Sequence, residues 1–123
     1  MDDTMQELTL ALRQFAIDRD WEQFHAPKNL AMALMVEAGE LAEHFQWLTP
    51  AQSDSLSPIQ QAEVADELAD VLLYLLRLAD RLNVDLAVAA RAKMIKNAQK
   101  YPAEQVRGRA KKYSSSPSAV PEK

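Results

Sequence analysis

Two apolar, helix-patterned stretches of this chain each carry two acids spaced three residues apart. The acids are Glu37 with Glu40, and Glu67 with Asp70. That spacing puts both carboxylates of a pair on one face of a helix, where like charges repel each other. An acid on or beside an apolar stripe needs compensation, because lone buried charge is costly. A hard divalent cation with oxygen ligands would compensate all four carboxylates, and plain solvation of the acids is the alternative.

The apolar stripes and the scarcity of glycine predict an all-α chain. Helical spacing in the first stretch connects Leu30, Leu34, Glu37, Leu41, Phe45 and Leu48. In the second stretch, Asp70 is flanked by Leu68, Val71, Leu72 and Leu75. Both patterns are typical of an amphipathic helix with one face toward a core. The sequence has only two glycines and many Ala, Leu, Glu and Gln residues, which favours helix throughout.

Capping signals divide the chain into four predicted helices. One signal is a capping box of Ser57 and Gln60 with Pro58 at the first helical position. A second capping box, formed by Thr4 and Glu7, begins the first helix. The four helices are predicted to run from Thr4 to about Arg19, from Pro27 to Trp47 or Leu48, from Pro58 to near Asn83, and from the cap Asp85 to Lys100.

Length and composition suit one domain followed by a tail. A chain of 123 residues is long enough for one compact domain, which we place at 1–113. Within it, 49–57 is predicted as a polar loop, and 103–113 as a basic segment with a short helical turn. Residues 114–123 are rich in Ser and Pro and are predicted to be a disordered tail.

Charge and cysteine content narrow the possible partners and compartments. The formal net charge is −4, with nine lysines and arginines against two acids from Arg91 onward. This overall acidity argues against non-specific nucleic-acid binding, while the basic end of the chain suits phosphates or acidic helices. The longest apolar run, Val71 to Leu76, is too short to span a membrane. No cysteine is present and the N-terminus is acidic, so we expect a cytoplasmic protein.

An aromatic connector and a basic helix face add further candidate ligand groups. Trp21, Phe24 and His25 lie within five positions, where they could stack on a planar ligand or plug the end of a helix bundle. Lys93 and Asn97 lie near one face of the fourth helix, either as a phosphate clamp or as a solvated basic face. The sequence argues against a di-iron site, because such a site requires two Glu-x-x-His pairs and only Glu22-x-x-His25 is present.

Together these motifs resemble the all-α nucleoside triphosphate pyrophosphatases, the MazG-like superfamily, and most closely its dCTP pyrophosphatase branch. The acid quartet carries the superfamily resemblance. The branch resemblance rests on the segments 19–25 (RDWEQFH), 27–30 (PKNL), 40–43 (ELAE), 45–47 (FQW) and 101–102 (YP). The likeness covers about residues 5 to 113. Helix four departs from the branch at Ile95-Lys96, and the loop 49–57 is short, which affects base preference and phosphate binding rather than the metal motif.

The resemblance implies a fold and a reaction. It implies a four-helix protomer whose core is completed by oligomerisation, as a homotetramer built from two dimers or as a dimer. It also implies Mg²⁺-dependent hydrolysis of dCTP, or of related and modified deoxynucleoside triphosphates, to the monophosphate and pyrophosphate, which would clear the nucleotide pool. The alternatives are a broader NTP or dUTP pyrophosphatase and a non-catalytic nucleotide-binding helical module.

By matching position, the resemblance also assigns residue roles. The predicted catalytic residues and Mg²⁺ ligands are Glu37, Glu40, Glu67 and Asp70. The predicted substrate contacts are Trp21 and Trp47 on the two faces of the pyrimidine, His25 beside the base or sugar, Tyr74 against the deoxyribose, and Lys93 and Asn97 on the phosphates. The acid that takes the proton from the attacking water is left open between Glu40 and Glu43.

Overall fold

The computed structural model describes residues 3–110, and all regular secondary structure within that range is helical. The four long helices are α1 (Asp3–Asp18), α2 (Pro27–Glu43), α4 (Pro58–Arg81) and α5 (Leu86–Lys100). Two short helices, α3 (Pro50–Ser53) and α6 (Ala103–Val106), and a 3₁₀ helix at Glu22–Phe24 complete the described part. The all-α class and the four long helices are therefore confirmed, whereas the predicted tail at 114–123 lies outside the described residues.

Two helices begin with the same capping geometry. The Ser57 hydroxyl accepts from the backbone N–H of Gln60 at 3.2 Å, and the Gln60 side chain accepts from the Ser57 N–H at 2.9 Å. Thr49 and Gln52 make the same pair of bonds at the start of α3. In both cases proline follows the cap, where its missing N–H costs nothing.

The C-terminal ends of α1 and α4 are also built alike. Asp20 (φ 53°) and Asn83 (φ 57°) both adopt the left-handed conformation. The residue after each one donates back to a buried alanine, from Trp21 to the carbonyl of Ala16 and from Val84 to that of Ala79, both at 2.9 Å. This is the Schellman arrangement, which satisfies the last carbonyls of a helix and reverses the chain. It confirms Asn83 as the predicted left-handed cap and fixes the direction in which Trp21 leaves α1.

Three predicted boundaries were wrong. Helix α2 ends at Glu43 and not at Trp47 or Leu48, because His44 and Phe45 donate to carbonyls three residues back and tighten into turns. The loop predicted at 49–57 contains α3, whose capping box is local and satisfies its own backbone groups. Thr4 lies inside α1 and is not its N-cap.

The described residues divide into two compact units, one ending at Asp85 and one beginning at Leu86. In the first unit, α4 packs most extensively against α2 and also packs against α1. Its buried apolar core is small for three long helices and consists of Ala16, Leu30, Val64, Leu76 and Ala79. The second unit contains α5, whose residues are mostly exposed, and α6. The prediction of one domain over 1–113 stays a prediction.

The first unit leaves large apolar side chains on its surface. Met32, Met35 and Val36 of α2 are 57%, 65% and 56% exposed, and Leu68 of α4 is 53% exposed. The three α2 residues lie close together in helical spacing and therefore form one stripe along the helix. Within residues 3–110, we find no helix with the length and apolarity needed to cross a bilayer. The exposed stripe is therefore a surface feature of α2 that a partner could cover.

Candidate active site

Three of the four predicted acids converge where α2 packs on α4. One carboxylate oxygen from each of Glu37, Glu67 and Asp70 lies within 4.8 Å of the others. Glu37 and Glu67 are half-buried and Asp70 is exposed, so the cluster opens toward solvent on one side. The fourth acid, Glu40, is exposed, but its charge acts on both Glu37 and Glu67. Acids of both predicted pairs therefore lie close together on neighbouring helices, with Glu37, Glu67 and Asp70 in the cluster and Glu40 beside it.

The acids are electrostatically destabilised by one another. Desolvation raises the pKa of Glu37 to about 7, with further contributions from Glu40, Asp70 and Glu67. Desolvation and the neighbouring Glu40 also raise the pKa of Glu67. Such shifts follow when like charges gather in a partly desolvated site, and they mark candidate functional sites. No lysine or arginine forms an ion pair with these acids within the described residues.

A divalent cation fits this cluster. Atom Oε2 of Glu67 is buried and has no hydrogen-bond donor within residues 3–110. A buried carboxylate oxygen without a donor is costly, and a cation bound by Glu37, Glu67 and Asp70 would remove that cost. Hard divalent cations prefer an all-oxygen ligand set of this kind. The geometry therefore supports a site for a hard divalent cation.

A cavity of about 330 Å³ extends from the acid cluster along α4. Asp70 belongs to both the cluster and the cavity. The other lining residues are Leu12, Phe15, Trp21, His25, Leu30, Leu73, Tyr74 and Arg77. Asp70, Tyr74 and Arg77 are spaced by four and three residues, so they follow one face of α4 over about 10 Å at 1.5 Å per residue. The cavity thus connects Asp70 of the acid cluster to the aromatic groups of Trp21 and Tyr74 and the guanidinium of Arg77.

The connector between α1 and α2 supplies the aromatic wall of this cavity. The Trp21 ring makes edge-to-face contacts with Phe15 at 5.8 Å and with His25 at 6.4 Å between centroids. The guanidinium of Arg19 lies 3.6 Å above the Phe15 ring. The Asn29 side chain donates to the Phe24 carbonyl at 3.1 Å and holds the 3₁₀ turn to α2. The connector therefore packs against α1 and α2 and also lines the cavity with Trp21 and His25.

The sequence reasoning missed a charged network at the far end of the cavity. The buried Arg77 donates from Nε to Nδ1 of His25 at 3.1 Å and from Nη1 to Asp80 at 3.3 Å. Arg13 of α1 donates to both Asp80 oxygens, at 2.8 and 2.7 Å. The spacing of Arg77, seven residues after Asp70, places it on the same face of α4, but no local pattern in the sequence indicates its bond to His25.

The remaining predicted contacts lie elsewhere. Trp47 is 86% exposed and is absent from the lining of the cavity that contains Trp21. Lys93 and Asn97 lie about one turn apart on α5, in the second compact unit, where both are exposed. The structure therefore brings together Trp21, His25 and Tyr74 in a single cavity, together with Asp70.

The helices and the acid cluster define a class of protein. The model of the MazG-like family matches residues 32–115, which include most of α2, all of α4 and all four acids. This match covers more than half of the chain, and the chain belongs to the MazG-like family.

Individual relatives and a solved structure agree with this membership. The chain is 45% identical to dCTP pyrophosphatase 1 of Homo sapiens over 116 residues, which are 93% of this chain and 68% of that protein. It is 46% identical to dCTP pyrophosphatase 1 of Rattus norvegicus, with the same coverage. The crystal structure of a pyrophosphatase from Archaeoglobus fulgidus superposes with a TM-score of 0.76 and 41% identity, covering 80% of this chain and 93% of that one.

Proposed function

We propose that this protein is a Mg²⁺-dependent dCTP pyrophosphatase that releases the monophosphate and pyrophosphate. The observation that carries the proposal is the acid cluster, with oxygens within 4.8 Å of one another, which shares Asp70 with a cavity lined by Trp21. Its similarity to the dCTP pyrophosphatases supports the substrate, because about 45% identity extends over 93% of the chain.

Magnesium is the ion we propose for the acid cluster. Glu37, Glu67 and Asp70 would hold it, with Glu40 as the fourth acidic group. A Mg²⁺ ion held there would neutralise charge on the leaving pyrophosphate and would help to orient the triphosphate for attack by water. The all-oxygen character of the cluster and its exposed Asp70 side support this choice, since Mg²⁺ usually keeps several waters.

The chain's own acids would also handle the proton of the attacking water. We propose Glu40 for this role, because it is exposed and lies next to Glu37 and Glu67. A general base needs to lie within hydrogen-bond reach of the water, directly or through a second water. Glu43 is one turn further along α2, at its last residue, and is the less favourable candidate.

The cavity suits the nucleoside half of dCTP. With the triphosphate at Asp70, Tyr74 would contact the deoxyribose one turn further on, and the base would reach Trp21 and His25. Stacking of a base on an aromatic ring contributes about 1–3 kcal/mol. We propose that Trp47 covers the other face of the base from a second protomer, and that Lys93 and Asn97 contact the phosphates. The 86% exposure of Trp47 in one chain supports a role outside its own protomer.

Homo-oligomerisation is part of the proposal. The stripe of Met32, Met35 and Val36 and the exposed Leu68 leave more apolar surface than a stable solvated unit of this size needs. Covering this stripe with a second copy would complete the small core, as a dimer or as a tetramer of two dimers. The protein would act in the cytoplasm on free nucleotides, without nucleic acid or membrane partners.

The proposal is tested with a panel of nucleotides. Purified protein is incubated with each dNTP and NTP, with and without Mg²⁺, and the products are separated by ion exchange. We expect dCTP to give dCMP and pyrophosphate with the highest kcat/KM, and EDTA to stop the reaction. Equal turnover of every nucleotide would replace dCTP with a broader substrate class, and tight dCTP binding without turnover would make the protein a non-catalytic module.

A further inference from the structure

The far end of the cavity contains a buried arginine that the proposed reaction does not use. Arg77 is 4% exposed and lines the cavity together with His25 and Tyr74. Its Nε donates to His25 at 3.1 Å and its Nη1 donates to Asp80 at 3.3 Å. Its third nitrogen, Nη2, is buried without a hydrogen-bond partner within the described residues. Burying a guanidinium that is not fully satisfied is costly, so this position calls for an explanation beyond packing.

The hydrogen bond from Arg77 determines which nitrogen of His25 carries the proton. The guanidinium always donates and never accepts, so Nδ1 of His25 is the acceptor. In a neutral imidazole the proton must then be on Nε2. Within the described residues, Nε2 of His25 makes no hydrogen bond of its own. His25 therefore presents one free polar atom, and that atom is a donor.

The surroundings of His25 keep it neutral. Desolvation lowers the pKa of His25, and the positive charges of Arg77 and Arg81 lower it further, against a weaker opposite effect of Glu22. These charged groups come from the connector and from α4, and they all belong to the first compact unit. At neutral pH the ring is thus a neutral donor at a fixed orientation, held against the edge of Trp21 at 6.4 Å.

Pyrimidine bases differ in what they offer to such a donor. Cytosine carries two adjacent hydrogen-bond acceptors, O2 and N3, on its Watson–Crick edge. Uracil and thymine keep O2, but their N3 carries a hydrogen and is a donor. A site built to donate to one pattern rejects the analogue whose group it cannot pair.

We propose that Arg77 is a positioning residue for base selection: it fixes His25 as the Nε2–H tautomer, so that the cavity donates to the acceptor edge of cytosine and opposes the N3–H of uracil and thymine. This inference rests on the proposed function, because it requires the base to stack on Trp21 with its edge toward His25. Arg77 itself acts through His25.

A purely structural role is the competing explanation. Arg77 also bonds Asp80, which Arg13 joins to α1, so its loss could weaken the packing of α1 on α4. The variants Asp80→Asn and Arg13→Gln test this role separately, because they disturb the same network and leave the bond from Arg77 to His25 in place.

The kinetic test compares dCTP with dUTP as substrates of the purified protein. In Arg77→Leu, His25 is free to expose Nε2 as an acceptor, so we expect the ratio of kcat/KM for dCTP over dUTP to fall by about tenfold or more, mainly through KM. Asp80→Asn and Arg13→Gln should lose stability and keep the wild-type ratio. A wild-type ratio in folded Arg77→Leu would overturn the inference, and so would a matching fall in both control variants.

A spectroscopic measurement on the wild-type protein needs no destabilising variant. In ¹⁵N-labelled protein, the side-chain nitrogens of His25 are distinguished from those of His44 by comparison with His44→Gln. We expect Nε2 to be protonated and Nδ1 unprotonated, and dCMP to shift the Nε2–H resonance at lower concentration than dUMP. A proton on Nδ1, or equal response to both nucleotides, would overturn the inference. Absence of hydrolysis of any nucleotide would instead sink the proposed function, and this inference with it.

Discussion

The two ends of the cavity along α4 gather charged groups in opposite ways. At one end, Glu37, Glu67 and Asp70 bring like charges within 4.8 Å, and a buried oxygen of Glu67 has no donor among the described residues. At the other end, Arg77 and Asp80 carry opposite charges and form an ion pair, with Nη1 of Arg77 3.3 Å from Oδ2 of Asp80. The first arrangement costs stability until a cation arrives, whereas the second supplies its own counter-charges. The acidic end is therefore a site that a bound cation would stabilise, whereas the ion pairs at the other end stabilise the protein without a ligand.

The largest expected effect comes from removing one charge at the acidic end. Glu37→Gln should lower kcat/KM for dCTP by more than about 100-fold. Losing a residue that only hydrogen-bonds a metal ligand costs up to about 100-fold, and losing the ligand itself should cost more. Without divalent cations at pH 8, the same variant should have a higher Tm than the wild-type protein, because it removes a repelling charge. Initial rates and calorimetric melting measure the two effects.

The Tm of the same variant should also respond much less to Mg²⁺ than that of the wild-type protein. Adding Mg²⁺ should raise the Tm of the wild-type protein, since an ion that binds only the folded state stabilises it, and should raise that of Glu37→Gln much less. Full activity in Glu37→Gln, or a lower Tm without metal, would show that the acids are solvated and that the two ends of the cavity do not differ in this way.

A smaller effect, a loss of stability, is expected at the end of the cavity where Arg13 and Arg77 pair with Asp80, which we call the paired end. The side chain of Asp80 is 10% exposed and that of its partner Arg13 is 51% exposed, so Asp80→Asn should lower the free energy of unfolding by about 2 kcal/mol, between the values for surface and buried pairs. Hydrogen bonding to Arg13 lowers the pKa of Asp80 below its ordinary value. Activity per folded molecule should remain, because Asp80 does not line the cavity. Urea unfolding with fluorescence detection measures the loss.

The sign of the pH dependence at this end follows from the lowered pKa. The folded-state pKa of Asp80 lies below the unfolded value, so its contribution is complete above roughly pH 4 and disappears as the pH falls through the folded-state pKa. The difference in stability between the wild-type protein and Asp80→Asn should therefore be constant from pH 5 to pH 8 and shrink below pH 4. A difference that persists at pH 2 would mean that packing, and not charge, accounts for the loss.

Local signals in the sequence predicted much of the fold. Ser57, Pro58 and Gln60 begin α4 as expected, and Asn83 ends it in the left-handed conformation. The same capping pattern at Thr49 begins α3, and the prediction of a loop at 49–57 was wrong because a polar composition does not exclude a short capped helix. The end of α2 was missed for a different reason. Phe45 continues the apolar period of α2, but the backbone tightens at His44, and periodicity alone does not reveal where a helix unwinds.

The acidic end could be predicted, while the paired end could not. Two acids at helical spacing are a local pattern, so the pairs Glu37–Glu40 and Glu67–Asp70 indicate a common site from the sequence alone. The bond from Arg77 to His25 spans 52 positions and the bond from Arg13 to Asp80 spans 67. Such contacts depend on how α1, the connector and α4 pack, and a single sequence carries no local sign of them.

The smallest expected effect is at Gly39, and it tests whether a second protomer packs against the acidic end. Gly39 lies between Glu37 and Glu40 in the sequence, and a Cβ added there meets no described atom of its own chain within 4 Å. Gly39→Ala should therefore stabilise the protein by about 0.5–1 kcal/mol, because alanine loses less backbone entropy in a helix.

We also expect Gly39→Ala to leave the assembly and kcat/KM unchanged. Met35 and Val36 are exposed on the same side of α2 and protrude further than a methyl group, so they would set the distance to a covering helix. Denaturation curves measure the gain in stability, and light scattering measures the particle mass. A smaller particle in Gly39→Ala would mean that a partner backbone packs directly on the glycine, so that the acidic end would be shaped by two protomers rather than one.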